Sequence, residues 1–193
     1  MTESEVLAIF ESHGALLSGH FLLSSGLHSS RYCEKFAVLQ QPKVTERLCR
    51  ELARRFAGEG VQVVVGPLTG GLLLAHEVGK ALGTRALFTE REGDKMCLRR
   101  GFALTPGERT LVVDDVVTTG GSVREVIEAV REAGGQVVGV GLLVDRSGGS
   151  MHFGVRTEAL LHLDAARESY PPDACPLCRQ GVPFTARGSR HTG

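Results

Sequence analysis

No run of about 18 or more apolar residues, the length that spans a bilayer, occurs among the 193 residues, so no membrane-spanning helix is expected. Neither sign of charge prevails: Lys plus Arg total 22 and Asp plus Glu total 22. A general nucleic-acid binder carries a basic excess to neutralise phosphates, so zero formal charge argues against one. The opening Met1-Thr2-Glu3-Ser4-Glu5 lacks the basic start and apolar stretch of a secretory leader. A soluble cytoplasmic protein, without membrane or nucleic-acid partners, is therefore expected. A disulfide framework is also missing. The five cysteines, at 33, 49, 97, 175 and 178, are odd in number and scattered, which suits reduced thiols. Cys175-Pro-Leu-Cys178 has metal-ligand spacing, but a structural zinc needs four ligands. Only His152, His162 or a second subunit offer themselves as the others. Two free thiols are the expectation, with no metal site made of side chains alone. Internal repeats and low-complexity blocks are absent too.

What is present is an alternation. Residues 3–12 suggest a short helix and 20–30, rich in Ser and Gly, a turn or hairpin. Residues 42–57 suggest a long helix, with Pro42 in its first turn and Val44, Leu48, Leu52 and Phe56 on one face. Apolar runs at 61–65, 85–89, 110–114 and 136–144 suit buried parallel strands. Helices are expected from the 66–71 turn to about residue 82 and over 119–133, where Val123, Val126, Ile127 and Val130 share a face. Residues 90–98 are charged and lack periodicity. The fold class is α/β, an open parallel sheet with helices on both faces. A single domain over 1–184 is expected, with a core over 41–145. Residues 1–40 and part of 146–184 would form a small hood, and 185–193 a disordered tail. His76 should be a packed helix histidine; Tyr32 and Phe36 suit either base stacking or the core.

The strongest chemical signal is at 111–122, Leu-Val-Val-Asp-Asp-Val-Val-Thr-Thr-Gly-Gly-Ser. A buried strand runs into two carboxylates, then a hydroxyl-rich turn, then a helix. Ligands of open α/β sheets sit beyond such strand ends. Backbone N–H groups from Thr118 to Ser122 would meet a phosphate dianion at the helix N-terminus. Gly120 and Gly121 permit close approach, and Thr118, Thr119 and Ser122 add hydroxyls. Asp114 and Asp115 would repel phosphate but suit the vicinal hydroxyls of a ribose, and one carboxylate can face positive charge developing at the sugar. Helix capping explains one hydroxyl, not two adjacent acids beside a Gly-Gly turn. A 5′-phosphorylated ribose is the expected ligand.

This run resembles the phosphoribosyl-diphosphate signature of the type I phosphoribosyltransferases. Most of the chain is similar to the orotate phosphoribosyltransferases. Residues 19–26, Gly-His-Phe-Leu-Leu-Ser-Ser-Gly, resemble that family's N-terminal segment, and 66–71, Gly-Pro-Leu-Thr-Gly-Gly, its diphosphate-contacting loop. Val144-Asp145-Arg146 resembles its Asp-Arg element, and 90–96 occupies the place of its mobile catalytic loop. The resemblance implies transfer of a 5-phosphoribosyl group from phosphoribosyl diphosphate to orotate, giving orotidine 5′-monophosphate in pyrimidine synthesis. Asp114, Asp115, Val116, Val117, Thr118, Thr119, Gly120, Gly121, Ser122, Thr69 and Gly70 would hold phosphoribosyl diphosphate. Thr118, Arg146, Ser25 and Gly26 would hold orotate, whose carboxylate a guanidinium grips through two hydrogen bonds. Arg91 and Lys95, acting with Asp114 and Asp115 as the catalytic set, would stabilise the leaving diphosphate, with Arg99 and Arg100 as further cations. Mg²⁺ would ride mainly on substrate oxygens. A homodimer is implied, with the 90–98 loop reaching the neighbouring site. The chain departs from the family pattern at Ser24 and Gly70, where many members carry lysines, and at Cys97, where a histidine is common. Transfer to another base, or a non-catalytic regulator that binds phosphoribosyl diphosphate, are the alternatives.

Overall fold

A computed structural model describes residues 1–23, 25–164 and 169–185. The central sheet has six strands. Their chain-order labels are β3 (Val63–Pro67), β4 (Arg85–Glu92), β5 (Lys95–Leu98), β6 (Arg109–Val117), β7 (Gln136–Asp145) and β8 (Thr157–His162), arranged β5-β4-β3-β6-β7-β8. All neighbours run parallel except β4 and β5. The expected α/β class is thus observed. From β3 the chain steps outward to β4, and from β6 outward the other way to β7, so the winding reverses between β3 and β6. Ligands of such sheets gather at the carboxyl ends flanking this reversal.

Strand periodicity shares the apolar run of β6 between two cores. Leu111 and Val113 join the core beneath α1 (Glu3–Ser12), α3 (Pro42–Phe56) and α4 (Gly70–Leu82). Val112 faces Val123, Val126 and Val130 of α5 (Gly121–Glu132). A single parallel strand covered on both faces needs this continuous apolar pattern. Helix α1 begins with a capping box between Thr2 and Glu5. Helix α3 buries Leu48, Leu52 and Phe56 while its arginines take other faces.

The hood is a second, three-stranded antiparallel sheet. It joins β1 (Leu16–Leu22), β2 (His28–Cys33) and β9 (Ser169–Tyr170), so the N- and C-terminal segments do meet in it. Four placements differ from the sequence expectation. Helix α1 does not belong to the hood: Val6 and Phe10 are buried in the main core. Strand β8 extends the central sheet beyond residue 145, hidden in the sequence by its polar Thr157, Glu158 and His162 ends. Residues 90–98 form a β-hairpin, not a loop. His76 is exposed, not packed. Short helices α2 (Phe36–Leu39) and α6 (Pro176–Arg179) complete the chain order. Of the expected tail, Thr185 donates its backbone N–H to the His20 carbonyl at 2.7 Å, and 186–193 lie outside the described residues.

Two small residues let α3 seat on β7. A Cβ built on Gly139 would stand 2.5 Å from the Phe56 ring, and one on Gly141 3.1 Å from Leu52. Gly139→Ala should therefore destabilise the fold by about 1–3 kcal/mol, the usual range for overpacking a filled core. Urea unfolding followed by circular dichroism measures this, and an unchanged midpoint would show that Phe56 has room to move.

Candidate active site

Strand β6 continues to Val117, three residues past the expected end, so Asp114 and Asp115 lie within the strand. Alternation turns their side chains to opposite faces. Asp114 lines a cavity of about 70 Å³ shared with residues 116–123 at the start of α5. Asp115 points to the other face, against the turn that opens α4. A Cβ on Gly70 would stand 1.5 Å from Asp115 Oδ2. No side chain fits at position 70 beside that carboxylate, which accounts for the glycine there.

Both acids are nearly sealed from water, Asp114 at 7% and Asp115 at 2% exposure, and buried charges need partners. Asp114 Oδ1 accepts the Asp115 N–H at 2.8 Å, and Asp115 Oδ1 accepts the Val116 N–H at 2.6 Å. The main countercharge is Lys35, just after β2, whose Nζ lies 2.7 Å from each carboxylate oxygen of Asp115. Toward Oδ1 this is a directed hydrogen bond; Oδ2 has the cation close by but no directed hydrogen bond. Lys35 escaped the sequence reading, because it is 80 residues from its partner and belongs to no phosphate motif. Burial first, and the Asp115 charge second, push the Asp114 carboxyl up to about 7.

Gly120, at φ +76°, is the N-cap of α5 and makes no side-chain cap bond. The first-turn N–H groups of a twelve-residue helix are thus free of a side-chain cap and face the cavity's polar wall. Arg124 donates to the Thr119 carbonyl at 2.8 Å and braces the turn. On the other side of the reversal, Leu68–Thr69 is a cis peptide and Thr69 is the N-cap of α4, again without a side-chain cap bond. The expected binding residues Thr69, Gly70 and 114–122 are therefore gathered at the carboxyl ends of β3 and β6.

Arg146 follows β7. It is 7% exposed, and among the described residues its Nε has no hydrogen-bond partner. The adjacent Asp145 accepts instead from the Ser147 N–H at 2.7 Å, so a local ion pair does not explain this arginine. Its surroundings are Arg31, Tyr32 and Cys33 of β2, with Leu16 and Leu163. Tyr32 also lies against Phe21, ring centres 5.4 Å apart, whereas Phe36 is exposed. Ser25 and Gly26 occupy the exposed β1–β2 turn, closed by the Leu23 N–H on the Leu27 carbonyl at 2.8 Å. Ser24 lies outside the described residues.

The expected catalytic cations are not brought to the acids within one chain. In the β4–β5 hairpin Arg91 pairs with Glu125 of α5 at 2.7 Å, and Lys95 approaches Glu132 at 3.9 Å. Arg99 approaches Glu92 at 3.8 Å, and Arg100 pairs with Glu90. Strand pairing sets Arg91 and Lys95 along α5, where Glu125 and Glu132 receive them, while Arg99 and Arg100 turn to glutamates of β4. Burial pushes the thiols of Cys33 and Cys49 up to about 11 and about 12, which leaves them unreactive.

A family model described as phosphoribosyl transferase domain matches residues 37–152. The chain is 59% identical over 190 residues to an orotate phosphoribosyltransferase of Pelotomaculum thermopropionicum, covering 98% of this chain and 99% of that one. It is 58% identical to one from Desulforamulus reducens, covering 98% of each. Among solved structures, the orotate phosphoribosyltransferase of Aeropyrum pernix superposes with a TM-score of 0.64 at 29% identity, over 81% of this chain and 93% of that one.

The raised Asp114 pKa has a sign. The folded chain keeps this proton at pH values where the unfolded chain, at the ordinary 3.8, has released it. The resulting stability is full below about 3.8, declines as pH rises, and is gone above about 7. Asp114→Asn should raise the thermal midpoint at pH 8, by about 2–4 °C per kcal/mol for a chain of this size, and converge with the parent protein in mild acid. Scanning calorimetry across that pH range checks it; equal midpoints at pH 8 would mean the carboxylate is solvated.

Proposed function

The chain belongs to the orotate phosphoribosyltransferases, and from that membership we propose how it works. It transfers the 5-phosphoribosyl group of phosphoribosyl diphosphate to orotate, releasing diphosphate and forming orotidine 5′-monophosphate for UMP synthesis. The observation that carries the base assignment is Arg146, a buried guanidinium whose Nε has no partner among the described residues, at a strand's carboxyl end.

The 5′-phosphate sits on the N–H groups and hydroxyls of residues 118–122, where the helix dipole favours an anion. The ribose hydroxyls donate to Asp114 and Asp115. As the bond to diphosphate lengthens, positive charge gathers on the sugar, and the two carboxylates, already in place, favour it without reorganising. Lys35 holds Asp115 in position. The cis turn at 68–69, with Thr69 and Gly70, lies beside Asp115 and receives the diphosphate. Orotate places its carboxylate on Arg146, assisted by Thr118, Ser25 and Gly26. As the ring nitrogen bonds to C1 of the sugar and the bond to diphosphate breaks, the ring N–H proton passes to an oxygen of the departing diphosphate, so no side-chain general base is assigned.

Two buried carboxylates, one held by Lys35, supply hard oxygen ligands but too few for a magnesium cage. They suit an Mg²⁺ ion carried by diphosphate and ribose oxygens, which when bound neutralises charge on the leaving group. Arg91 and Lys95, turned along α5 in their own chain, serve the neighbouring subunit's site in a homodimer. An apolar groove of about 330 Å³ supports such pairing: it lies between α3 and α4, lined by Leu39, Pro42, Leu72, Leu73 and Phe88 beside exposed His76. Among the described residues no helix is long and apolar enough to cross a membrane. We assign the reaction, with its phosphorylated substrate and product, to the cytoplasm.

Purified protein given phosphoribosyl diphosphate, Mg²⁺ and orotate should form orotidine 5′-monophosphate and diphosphate in equal amounts. Arg146→Ala should lower kcat/KM for orotate about 10- to 100-fold, as for a lost hydrogen-bonded charge. Turnover of a purine or of uracil with none of orotate would overturn the assignment. The shared site has its own test. Arg91→Ala and Asp115→Asn chains, each inactive, should on mixing recover about a quarter of the parent activity, because half the dimers then hold one intact site. No recovery after subunit exchange would place the loop cations in their own chain's site.

A further inference from the structure

The hood contains a second cluster of reactive side chains, on the C-terminal segment's side of the β1–β2 hairpin. Cys175 and Cys178, expected to be two unpaired thiols, meet His20 of β1 and His28 of β2. One ligand atom from each of the four lies within 4.8 Å of every other. His20, His28 and Cys175 are buried, and Cys178 is at the surface.

The spacings are those of a metal cage. Zinc bonds of about 2.3 Å to sulfur and 2.0–2.1 Å to nitrogen, at tetrahedral angles, set ligand atoms about 3.3–3.8 Å apart. The His20 Nε2 to His28 Nδ1 distance is 3.3 Å. Sulfur to nitrogen distances are 3.5 Å for Cys175 with His20, 3.7 Å for Cys178 with His20 and 3.2 Å for Cys178 with His28. The outer shell also fits. His20 Nδ1 lies 2.7 Å from the Val182 carbonyl, a bond that only a protonated Nδ1 can donate, and this leaves Nε2 as a bare lone pair facing the cluster. Phe184 packs against the same two imidazoles, tilted over His20 with ring centres 4.1 Å apart and edge-on to His28 at 4.8 Å, covering that side of the cluster.

We propose that His20, His28, Cys175 and Cys178 form a structural zinc site, closed by four protein ligands. The ion would join β1 and β2 to a segment 155 residues away from His20. Closing so long a loop restricts the unfolded chain strongly, and metal affinity becomes folding energy. His28 follows directly on the β1–β2 turn that carries Ser25 and Gly26, so the clip also holds that turn in place.

The full chain, purified without chelator, an added histidine tag or metal-affinity resin, should retain about one zinc per chain by plasma mass spectrometry after gel filtration. Replacing zinc by cobalt should give the intense visible bands of a tetrahedral site with thiolate charge transfer. Cys178→Ser, at the exposed corner, and His28→Gln should each drop zinc to below about a tenth of an equivalent per chain and lower the thermal midpoint. If either variant fails to fold, the cobalt spectrum of the parent chain still decides. Parent protein that holds no zinc after incubation with it, or fresh protein in which Cys175 and Cys178 are joined by a disulfide, would overturn the site. None of these readouts depends on transferase activity, so this proposal and the orotate assignment can fail separately.

Discussion

Two adjacent carboxylates buried at the end of one strand set the terms for everything around them. Fully solvated they would need no help. Sealed in the sheet, they must be met by backbone N–H groups, by a cation, or by a retained proton, and all three are present. The neighbouring N–H groups of 115 and 116 answer each acid, Lys35 answers Asp115, and Asp114 tends toward protonation. The turn opening α4 has to come without a Cβ at position 70. The hood has to lie where Lys35 can reach β6. A ribose, offering hydroxyl donors and then positive charge, is the ligand proposed above for such a pair of acids.

The same two residues show how pleating divides labour. Because 114 and 115 face opposite sides of β6, one acid attends the loop before α5 and the other the turn before α4. A sugar spanning the strand end, as proposed above, would meet both. A single acid, or two acids two residues apart, would serve only one side. The winding reversal between β3 and β6 supplies the crevice, and the adjacent acids supply its chemistry.

Much of this was legible in the sequence because it is local. Continuous apolar runs announced the parallel strands, and the run at 111–122 contained its own strand, acids, turn and helix start. What stayed hidden depends on distant partners. Lys35 is one basic residue among 22 until the hood folds over β6. The hairpin at 90–98 lacked a readable pattern because its charged side chains are ordered by pairing, not by burial. Strand β8 is short and polar-ended, and only its neighbours β7 and α1 give it a place. His20 and His28 flank a Ser- and Gly-rich turn whose hairpin was foreseeable, which puts two imidazoles within reach of each other. A Cys-x-x-Cys pair at the other end of the chain was the remaining half of the signal, but nothing in spacing alone joins the two ends.

The two margins of the central sheet are guarded in different ways, and this bears on how the protein behaves at high concentration. An open sheet leaves a row of unpaired N–H and C=O groups on each outer strand, a template for intermolecular pairing. On one margin stands β5, four residues long, turned antiparallel and reached through a charged hairpin whose Arg91 and Lys95 engage the acids of α5. On the other, α1 packs along β8 and Glu3 accepts the His162 N–H at 2.6 Å, so a helix side chain occupies a place where another strand would bond. Short length and charge protect one side, and a covering helix the other. Protection against edge-to-edge pairing is thus assigned to elements that also serve folding, and changes to the charged hairpin will alter solubility as well.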